Sequence, residues 1–221
     1  MKTKILLAAA LSMGVLAHTA SAQRGLTLGV QGVAQNSWMF NKDNSDNGGF
    51  KYKTTFGPAF GVGAQFGLGD HIGVGMDLLY SIQGQRSEFT LQDVTAEQYQ
   101  RNTYMKIPLM LVLNSDPDAG CMFQLKVGPQ FSFLTNSKLE DKDGNDIVGD
   151  TKDAFNNTDI GGMLSLGAAF RITESLRFTT ALRFDYGFTD AQDEDYEFFP
   201  ADGAKTANAT GGLAIGLTYT L

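Results

Sequence analysis

Side chains suited to nucleophilic or metal chemistry are scarce in this sequence of 221 residues, which has two histidines and one cysteine. A Ser-His-Asp triad or a Cys-His pair needs a histidine as its base, and most zinc sites need several His or Cys ligands. His71 stands beside a predicted turn, where a solvated turn residue is the simpler interpretation. A free cysteine such as Cys121 on a strand behaves as a small apolar side chain. We therefore expect no catalytic residue, no metal and no cofactor.

The stretch at 141–146, Asp-Lys-Asp-Gly-Asn-Asp, has the composition of a calcium-binding loop. An EF-hand loop, however, needs glycine at its sixth position and glutamate at its twelfth. In this stretch the glycine is Gly144, at the fourth position, and the twelfth residue is Lys152. The spacing favours a flexible acidic loop over a calcium site.

A second acidic stretch lies between residues 189 and 207, where Lys205 is the only basic residue. Such a segment can bridge to lipopolysaccharide through divalent cations or bind a basic partner. The simpler interpretation is a solubilising surface charge. The candidates for cation or partner contact are Asp190, Asp193, Glu194, Asp195 and Glu197.

A third group of charged residues falls within segments in which every second residue is apolar. By parity these charged side chains lie on the face opposite the apolar ones. If these segments are strands of a barrel that crosses a membrane, a charged side chain that faces lipid at mid-depth costs about 2–4 kcal/mol. The inside of the barrel is therefore the favoured location for these charges. Opposite charges there should pair, because an unpaired buried charge is costly, and we expect either a structural plug or a gate. The members are Asp77, Lys106, Lys126, Arg183 and Asp185.

The elements that would position these charges are eight segments of alternating apolar and polar residues. They cover residues 26–34, 56–68, 72–82, 105–113, 121–133, 160–170, 176–188 and 213–221. Each is long enough to cross a bilayer as a tilted strand of ~9–11 residues. An even number of antiparallel strands closes a barrel with both chain ends on one side. The sequence predicts an all-β fold, an eight-stranded antiparallel transmembrane β-barrel.

The connections between these segments alternate in length. Short ones cover 69–70, 114–120 and 173–175, and long ones cover 41–53, 87–102, 136–158 and 189–207. Short periplasmic turns and long extracellular loops are typical of outer-membrane barrels, so we expect four long extracellular loops. Aromatic residues collect near both ends of the segments, where rings sit at the level of the lipid headgroups.

The first 22 residues have the features of a secretory signal peptide. Lys2 and Lys4 precede an apolar run over 5–17, and Ala-Ser-Ala at 20–22 fits a cleavage site. The run is shorter than the ~20 residues that a transmembrane helix needs. We expect cleavage after residue 22, so that residues 23–221 form the barrel domain in the cell outer membrane.

Four stretches resemble the PorT-like, or porin-family, outer-membrane β-barrels of Bacteroidota. Residues 77–84, Asp-Leu-Leu-Tyr-Ser-Ile-Gln-Gly, resemble the family's third strand, and 104–111 resemble its Tyr-x-x-Ile-Pro-Leu strand. Residues 128–134 and 183–190 also match. The resemblance implies an integral outer-membrane protein of a Gram-negative cell. It implies no single activity, because fold and function are separate claims.

The expected function is non-enzymatic: an integral outer-membrane β-barrel that presents extracellular loops for envelope integrity, adhesion or partner binding. Expected partners are outer-membrane lipid and lipopolysaccharide, with the loops available to a protein partner. The net charge of −7 argues against nucleic acid as a partner. The alternative is a narrow channel for ions or small solutes. An outer-membrane enzyme would need a histidine among the loop acids, and a soluble lipocalin-like binder would turn its apolar face inward.

Overall fold

The computed structural model describes residues 25–41, 50–91, 94–193 and 205–221, most of which lie in antiparallel strands. The strands are β1 (Leu26–Asn41), β2 (Phe50–Lys53), β3 (Thr55–Gly67), β4 (Ile72–Leu91), β5 (Val94–Asn114), β6 (Cys121–Asp141), β7 (Asp146–Val148), β8 (Thr158–Arg171), β9 (Leu176–Gly187) and β10 (Thr206–Thr220). A short 3-10 helix covers Lys152–Ala154. Within the described ranges, no helix is long and apolar enough to cross a membrane.

Eight of these strands form a closed ring, in the order β1, β3, β4, β5, β6, β8, β9 and β10. The ring closes where β10 pairs with β1, with Tyr219 opposite Leu28. The short strands β2 and β7 lie outside the ring and pair with β4 and β6. The predicted eight-stranded antiparallel barrel is therefore confirmed.

The apolar parity of the strands faces away from the barrel axis. Large side chains such as Leu166 and Phe123 are 60% and 65% exposed, and similar side chains surround the ring. Soluble monomers rarely expose continuous apolar patches larger than a few hundred Å². The opposite parity is polar and buried, so the barrel is apolar outside and polar inside.

One end of the barrel carries short turns, at residues 68–71, 115–120 and 172–175, and the other carries the longer connections. Toward the second end three strands run further than the alternation predicts. The expected loop at 87–102 is mostly a paired hairpin of β4 and β5, and β6 continues to Asp141. These extensions are mostly polar, and their few apolar residues do not alternate regularly, so the period-2 signal that marks a half-buried strand is lost.

The extended strands reach well beyond the thickness of a membrane. β4 has 20 residues and β5 has 21. Since a spanning strand needs ~9–11 residues at about 3.3 Å each, about 30 Å of each strand lies outside the bilayer. With β2 and β7 at the edges, these extensions form a projecting sheet, made of β2, the outer parts of β4, β5 and β6, and β7.

Candidate functional site

Arg183 on β9 lies at the centre of a group of charged side chains inside the barrel. Its side chain is only 3% exposed, and its Nε donates to Oδ1 of Asp185 at 3.0 Å. Its Nη2 donates to Oε1 of Gln130 at 2.9 Å, and Nη1 lies 3.5 Å from Oδ2 of Asp77. The guanidinium therefore connects β9 with β6 and β4 across the lumen.

The two carboxylates of this group have further partners on other strands. Oδ2 of Asp77 accepts a hydrogen bond from Nε2 of Gln31 at 2.7 Å. Oδ2 of Asp185 accepts one from Nζ of Lys106 at 2.9 Å and one from Oγ1 of Thr210 at 3.0 Å. These contacts and those of the arginine tie together six of the eight ring strands. We call Asp77, Lys106, Arg183 and Asp185, with their amide and hydroxyl partners, the lumen network.

Lys126 on β6 also faces the lumen but stands apart from these pairs. Within the part of the chain that the structure describes, its ammonium group makes no ion pair or hydrogen bond. It lines a cavity of about 30 Å³ together with Asp77, Gln124 and Arg183. Because a cavity needs about 10–15 Å³ of such space to hold a water, this one has room for one or two water molecules. The structure thus joins four of the five predicted lumen charges and leaves the fifth beside them.

Two glycines leave space for buried carboxylates. Gly63 on β3 lies opposite Asp77, and a Cβ at this position would be 2.2 Å from Oδ1 of the aspartate. A Cβ at Gly187 would be 2.5 Å from Oδ2 of Asp159. Glycine within a strand often marks such a close approach. Any side chain at these two positions would displace a carboxylate from its partners.

A second polar layer, toward the long-loop end, was not among the predicted sites. Asp159 on β8 is 5% exposed, and Oγ1 of Thr189 donates to its Oδ1 at 2.7 Å. Nδ2 of Asn208 lies 3.3 Å from its Oδ2. A cavity of about 10 Å³, lined by Lys106, Asp159 and Asp185 among others, separates the two layers. The sequence did indicate the position of Asp159, because it precedes Ile160. Since Ile160 faces outward, the alternation of the strand turns Asp159 toward the lumen.

The long-loop end of the lumen is covered by an apolar cluster. Its members are Met39, Tyr104, Leu134, Ala154 and Phe155, all buried. Phe155 pairs with Gln192 in an isolated β-bridge, so the connection after β7 contacts the segment after β9. Nδ2 of Asn156 reinforces this contact by donating to the carbonyl oxygens of Asp190 and Gln192 at 3.1 and 2.8 Å. We call this cluster the cap.

The acidic stretch after β9 is described only in part. The Asp190 carboxylate accepts the backbone N–H groups of Gln192 and Thr206, both at 3.1 Å, and so stabilises the turn. The backbone N–H of Asp193 donates to the carbonyl oxygen of Ala154 at 3.2 Å. Among the residues with described positions, no three His, Cys, Asp or Glu side chains are grouped to hold a metal ion. Glu194, Asp195 and Glu197 lie outside the described residues.

The acidic turn at 141–146 is organised by the carboxylate of Asp141. Its Oδ1 accepts the backbone N–H groups of Asp143 and Asn145 at 2.8 and 2.9 Å, and its Oδ2 accepts Nδ2 of Asn145 at 3.0 Å. The Asn145 side chain, followed by its backbone N–H, holds the pKa of Asp141 below its ordinary value. Both carboxylate oxygens are therefore used by the turn itself.

His71 and Cys121 both lie at the short-turn end of the barrel. Nδ1 of His71 is 3.0 Å from the carbonyl oxygen of Ser115, a contact between two neighbouring turns. Cys121 is the first residue of β6 and carries a free thiol. The contact of His71 and the position of Cys121 place both residues in the framework of the short turns.

Ion pairs cross the projecting sheet from strand to strand. Oε1 of Glu88 on β4 lies 2.6 Å from Nζ of Lys53 on β2 and 3.2 Å from Nη2 of Arg86. Between the other strands of the sheet, Glu140 on β6 pairs with Arg101 on β5, and it also pairs with Lys138 on its own strand. Two of these pairs join neighbouring strands, β2 with β4 and β5 with β6, and all of them give the sheet a surface of both signs of charge.

We expect the contact with Lys53 to be measurable in the titration of Glu88. The hydrogen bond from Lys53 is the largest cause that lowers the pKa of Glu88. Because the pKa is lower in the folded state, this pair stabilises the fold above the unfolded value of about 4.3 and its contribution is lost as the pH falls through the folded value. In an NMR titration of the refolded protein, Lys53→Met should raise the pKa of Glu88, whereas Lys142→Met should not. An unchanged pKa in the first variant would contradict the pairing.

Comparison with known proteins gives the same fold. The family model described as "Outer membrane protein beta-barrel domain" matches residues 17–193, most of the chain. The chain belongs to this family. It is therefore a protein of the outer membrane, and its lipid-facing surface is the apolar outer belt. Since outer-membrane barrels keep short turns on the periplasmic side, the cap and the projecting sheet are extracellular.

Solved structures similar to this outer-membrane barrel include OprG from Pseudomonas aeruginosa. That structure is 14% identical and has a TM-score of 0.51, with 90% of this chain and 97% of OprG covered. Neisserial surface protein A (NspA) is 13% identical with a TM-score of 0.49, covering 88% and 97%. Ail of Yersinia pestis is 12% identical with a TM-score of 0.43, covering 89% and 99%. At 14% identity the likeness to OprG shows the fold alone. A search of curated proteins found no sequence match.

Proposed function

We propose that this outer-membrane barrel is a closed, non-enzymatic scaffold that holds the projecting sheet and the extracellular loops at the cell surface. In this role it contributes to envelope integrity, adhesion or the binding of a partner. The observation that carries the proposal is the lumen, which is crossed by the lumen network and covered by the cap. An eight-stranded barrel is just wide enough for side chains to fill it.

The contacts inside the barrel suit a plug better than a pore. Lys106 and Asp185 are 3% and 4% exposed and pair at 2.9 Å. The two lumen cavities described above hold about 10 and 30 Å³, and the first is at the lower limit of the space that one water needs. Breaking a buried pair leaves an uncompensated charge, so displacing these side chains to admit an ion would be costly.

The extracellular surface offers two kinds of partner contact. The projecting sheet presents ion pairs such as Lys53 with Glu88, whose members can exchange partners with a charged ligand. The loops add exposed acids, including those at 141–146. We therefore propose a protein partner or the phosphate and sugar groups of neighbouring lipopolysaccharide at this surface. The charged residues of the projecting sheet and the loops would contact either kind of partner.

A narrow channel is the second candidate, and one observation favours it. Lys126 is a lumen cation without an ion pair among the described residues, and it lines the larger lumen cavity. An unpaired cation in a water-sized space is what an anion path would use. This function would require the network to rearrange and the cap to move aside.

Single-channel recording distinguishes the scaffold from the channel. We expect the refolded protein in a planar bilayer to be silent, after heat-dependent gel mobility has shown that it is folded. Lys126→Met should be silent as well. Discrete conductance steps that change with Asp77→Ala or Arg183→Ala would contradict the scaffold and support the channel.

We assign no catalytic group to this barrel. A hydrolytic site needs a nucleophile, a base within hydrogen-bond reach and an oxyanion donor. His71, the histidine of the described part of the chain, contacts a turn carbonyl at the periplasmic end. Incubation of the folded protein with peptide and phospholipid ester substrates should give no turnover, and turnover abolished by a single loop substitution would contradict this.

Two further assignments concern the origin and processing of the chain. We propose that it belongs to the PorT-like group of Bacteroidota, which the stretches on β4, β5, β6 and β9 support. Grouping elsewhere in a phylogeny of barrel sequences would contradict this.

We also propose that residues 1–22, which lie outside the described part, are removed as a signal peptide. N-terminal sequencing of the outer-membrane form should then begin at Gln23 and not at Met1.

A further inference from the structure

An open, apolar groove interrupts the outer surface of the barrel. Its volume is about 640 Å³, within the range of ligand sites, about 300–1,000 Å³. It crosses β6, β8, β9, β10 and β1, which are neighbours in the ring. Most of its lining belongs to the lipid-facing parity, so it opens toward the membrane and not toward the lumen.

The groove exists because small residues replace large ones on the outward face. Its floor includes Ala209, which lies between Trp38 and Tyr186 in the strand register and is 6% exposed. Gly162 adds to the floor, where a Cβ would be 3.1 Å from the ring of Phe188. Larger side chains on the same outward parity, such as Leu164 and Phe184, stand around this floor. The small floor residues leave a depression between neighbouring side chains that extend further outward.

Aromatic side chains form the walls of the groove. Trp38 and Phe40 pack edge to face with ring centroids 5.6 Å apart, and Tyr186 and Phe188 lie 5.9 Å apart. Phe40, Tyr186 and Phe188 are each about half exposed or more, so no described side chain covers them. Paired rings hold the walls in place without an occupant.

The depth of the groove matches the outer leaflet. It begins at Leu164, near the middle of β8, and at Val127, which lies opposite Leu164 on β6, and it rises to Phe40 and Phe188 at the extracellular rim. Rings at this rim sit at the level of the lipid headgroups. The groove therefore runs along the direction that an acyl chain of the outer leaflet takes.

We propose that this groove binds one acyl chain of a lipopolysaccharide molecule. The groove is continuous with the lipid-facing belt, which makes lipid its neighbour, and it opens in the extracellular half, which in the outer membrane is the lipopolysaccharide leaflet. Burial of apolar surface in a preformed groove is favourable in proportion to the area covered. The site would hold one lipid in a fixed position beside the projecting sheet. This inference does not depend on the scaffold function.

The test uses Trp38, which lies in the groove wall and is the only tryptophan of the chain. The full mature protein is refolded into nanodiscs of phosphatidylcholine with brominated acyl chains, which quench tryptophan on contact. Purified lipid A is then added, and the recovery of fluorescence is compared with that from unbrominated phosphatidylcholine at the same number of acyl chains. We expect lipid A to be several-fold more effective.

Matched variants locate the effect. Ala209→Leu fills the floor of the groove and should make lipid A and phosphatidylcholine equally effective. Ala34→Leu makes the same change on an outward position of β1 outside the groove and should retain the preference. If Ala209→Leu does not show the gel mobility of a folded barrel, Phe188→Ala, which removes a wall, replaces it and should also lose the preference.

Three results would overturn the proposal. Equal recovery with both lipids in the unmodified protein would show ordinary, non-selective lipid contact. Loss of the preference in Ala34→Leu would place the effect outside the groove. Quenching that falls as protein is added at constant lipid would show that a second copy of the chain, and not an acyl chain, covers Trp38.

Discussion

Arg183→Ala should destabilise the barrel by about 3–5 kcal/mol, the cost of removing one partner from a buried ion pair. The substitution removes the contacts of the guanidinium with Asp185 at 3.0 Å and with Asp77 at 3.5 Å. Lys106 and Gln31 would remain as partners of these carboxylates. The loss of stability should lower the urea concentration at the midpoint of unfolding. Unfolding of the protein in lipid vesicles is monitored by its gel mobility.

The controls for this variant separate pairing from charge alone. Lys126→Met removes another lumen cation, but one without an ion pair among the described residues, and should be close to neutral or stabilising. Asp146→Asn removes an extracellular acid that is paired with Lys138 near solvent, where such pairs contribute about 0–1 kcal/mol. If Arg183→Ala and Asp146→Asn had equal effects, the lumen charges would not form a stabilising network.

The distribution of residues between inside and outside was predictable because lipid and lumen impose opposite demands on alternate residues. This signal placed Asp77 and Arg183 on the inner face of their strands and Leu166 on the outer face. It did not give the contacts between them. Lys106 and Asp185 are 79 positions apart in the chain, and their pairing depends on the stagger of strands that do not neighbour each other in the ring.

Two features had weak signals for a different physical reason. The extensions of β4 and β5 are mostly polar and lack regular alternation, so hydrogen bonding between the two strands, and not alternation, defines them. The cap depends on Phe155, the one large apolar residue in the connection between β7 and β8. Its burial requires Met39 and Tyr104 from distant strands, a contact that local sequence does not specify.

The apolar outer belt leads to the second large effect, on a lipid-facing leucine. Leu166 lies near the middle of β8, is 60% exposed and has Leu125 and Leu182 beside it on the neighbouring strands. Leu166→Arg should destabilise the barrel in a bilayer by about 2–4 kcal/mol, because arginine near the midplane must either leave water or distort the lipid. Unfolding by urea in vesicles measures this cost.

Depth is what distinguishes this cost from an ordinary surface change. Ile172 follows β8 at the periplasmic end and is 55% exposed, so Ile172→Arg makes a similar change at the interface, where the expected cost is about 0–1 kcal/mol. A soluble protein with an exposed apolar belt would instead gain solubility from both variants, since each adds a charge at a water-facing position. Equal small effects of the two variants in vesicles would contradict a lipid-facing belt. A large effect at Leu166 alone would fix the height of the membrane on the barrel, and with it the distance by which the projecting sheet stands above the surface.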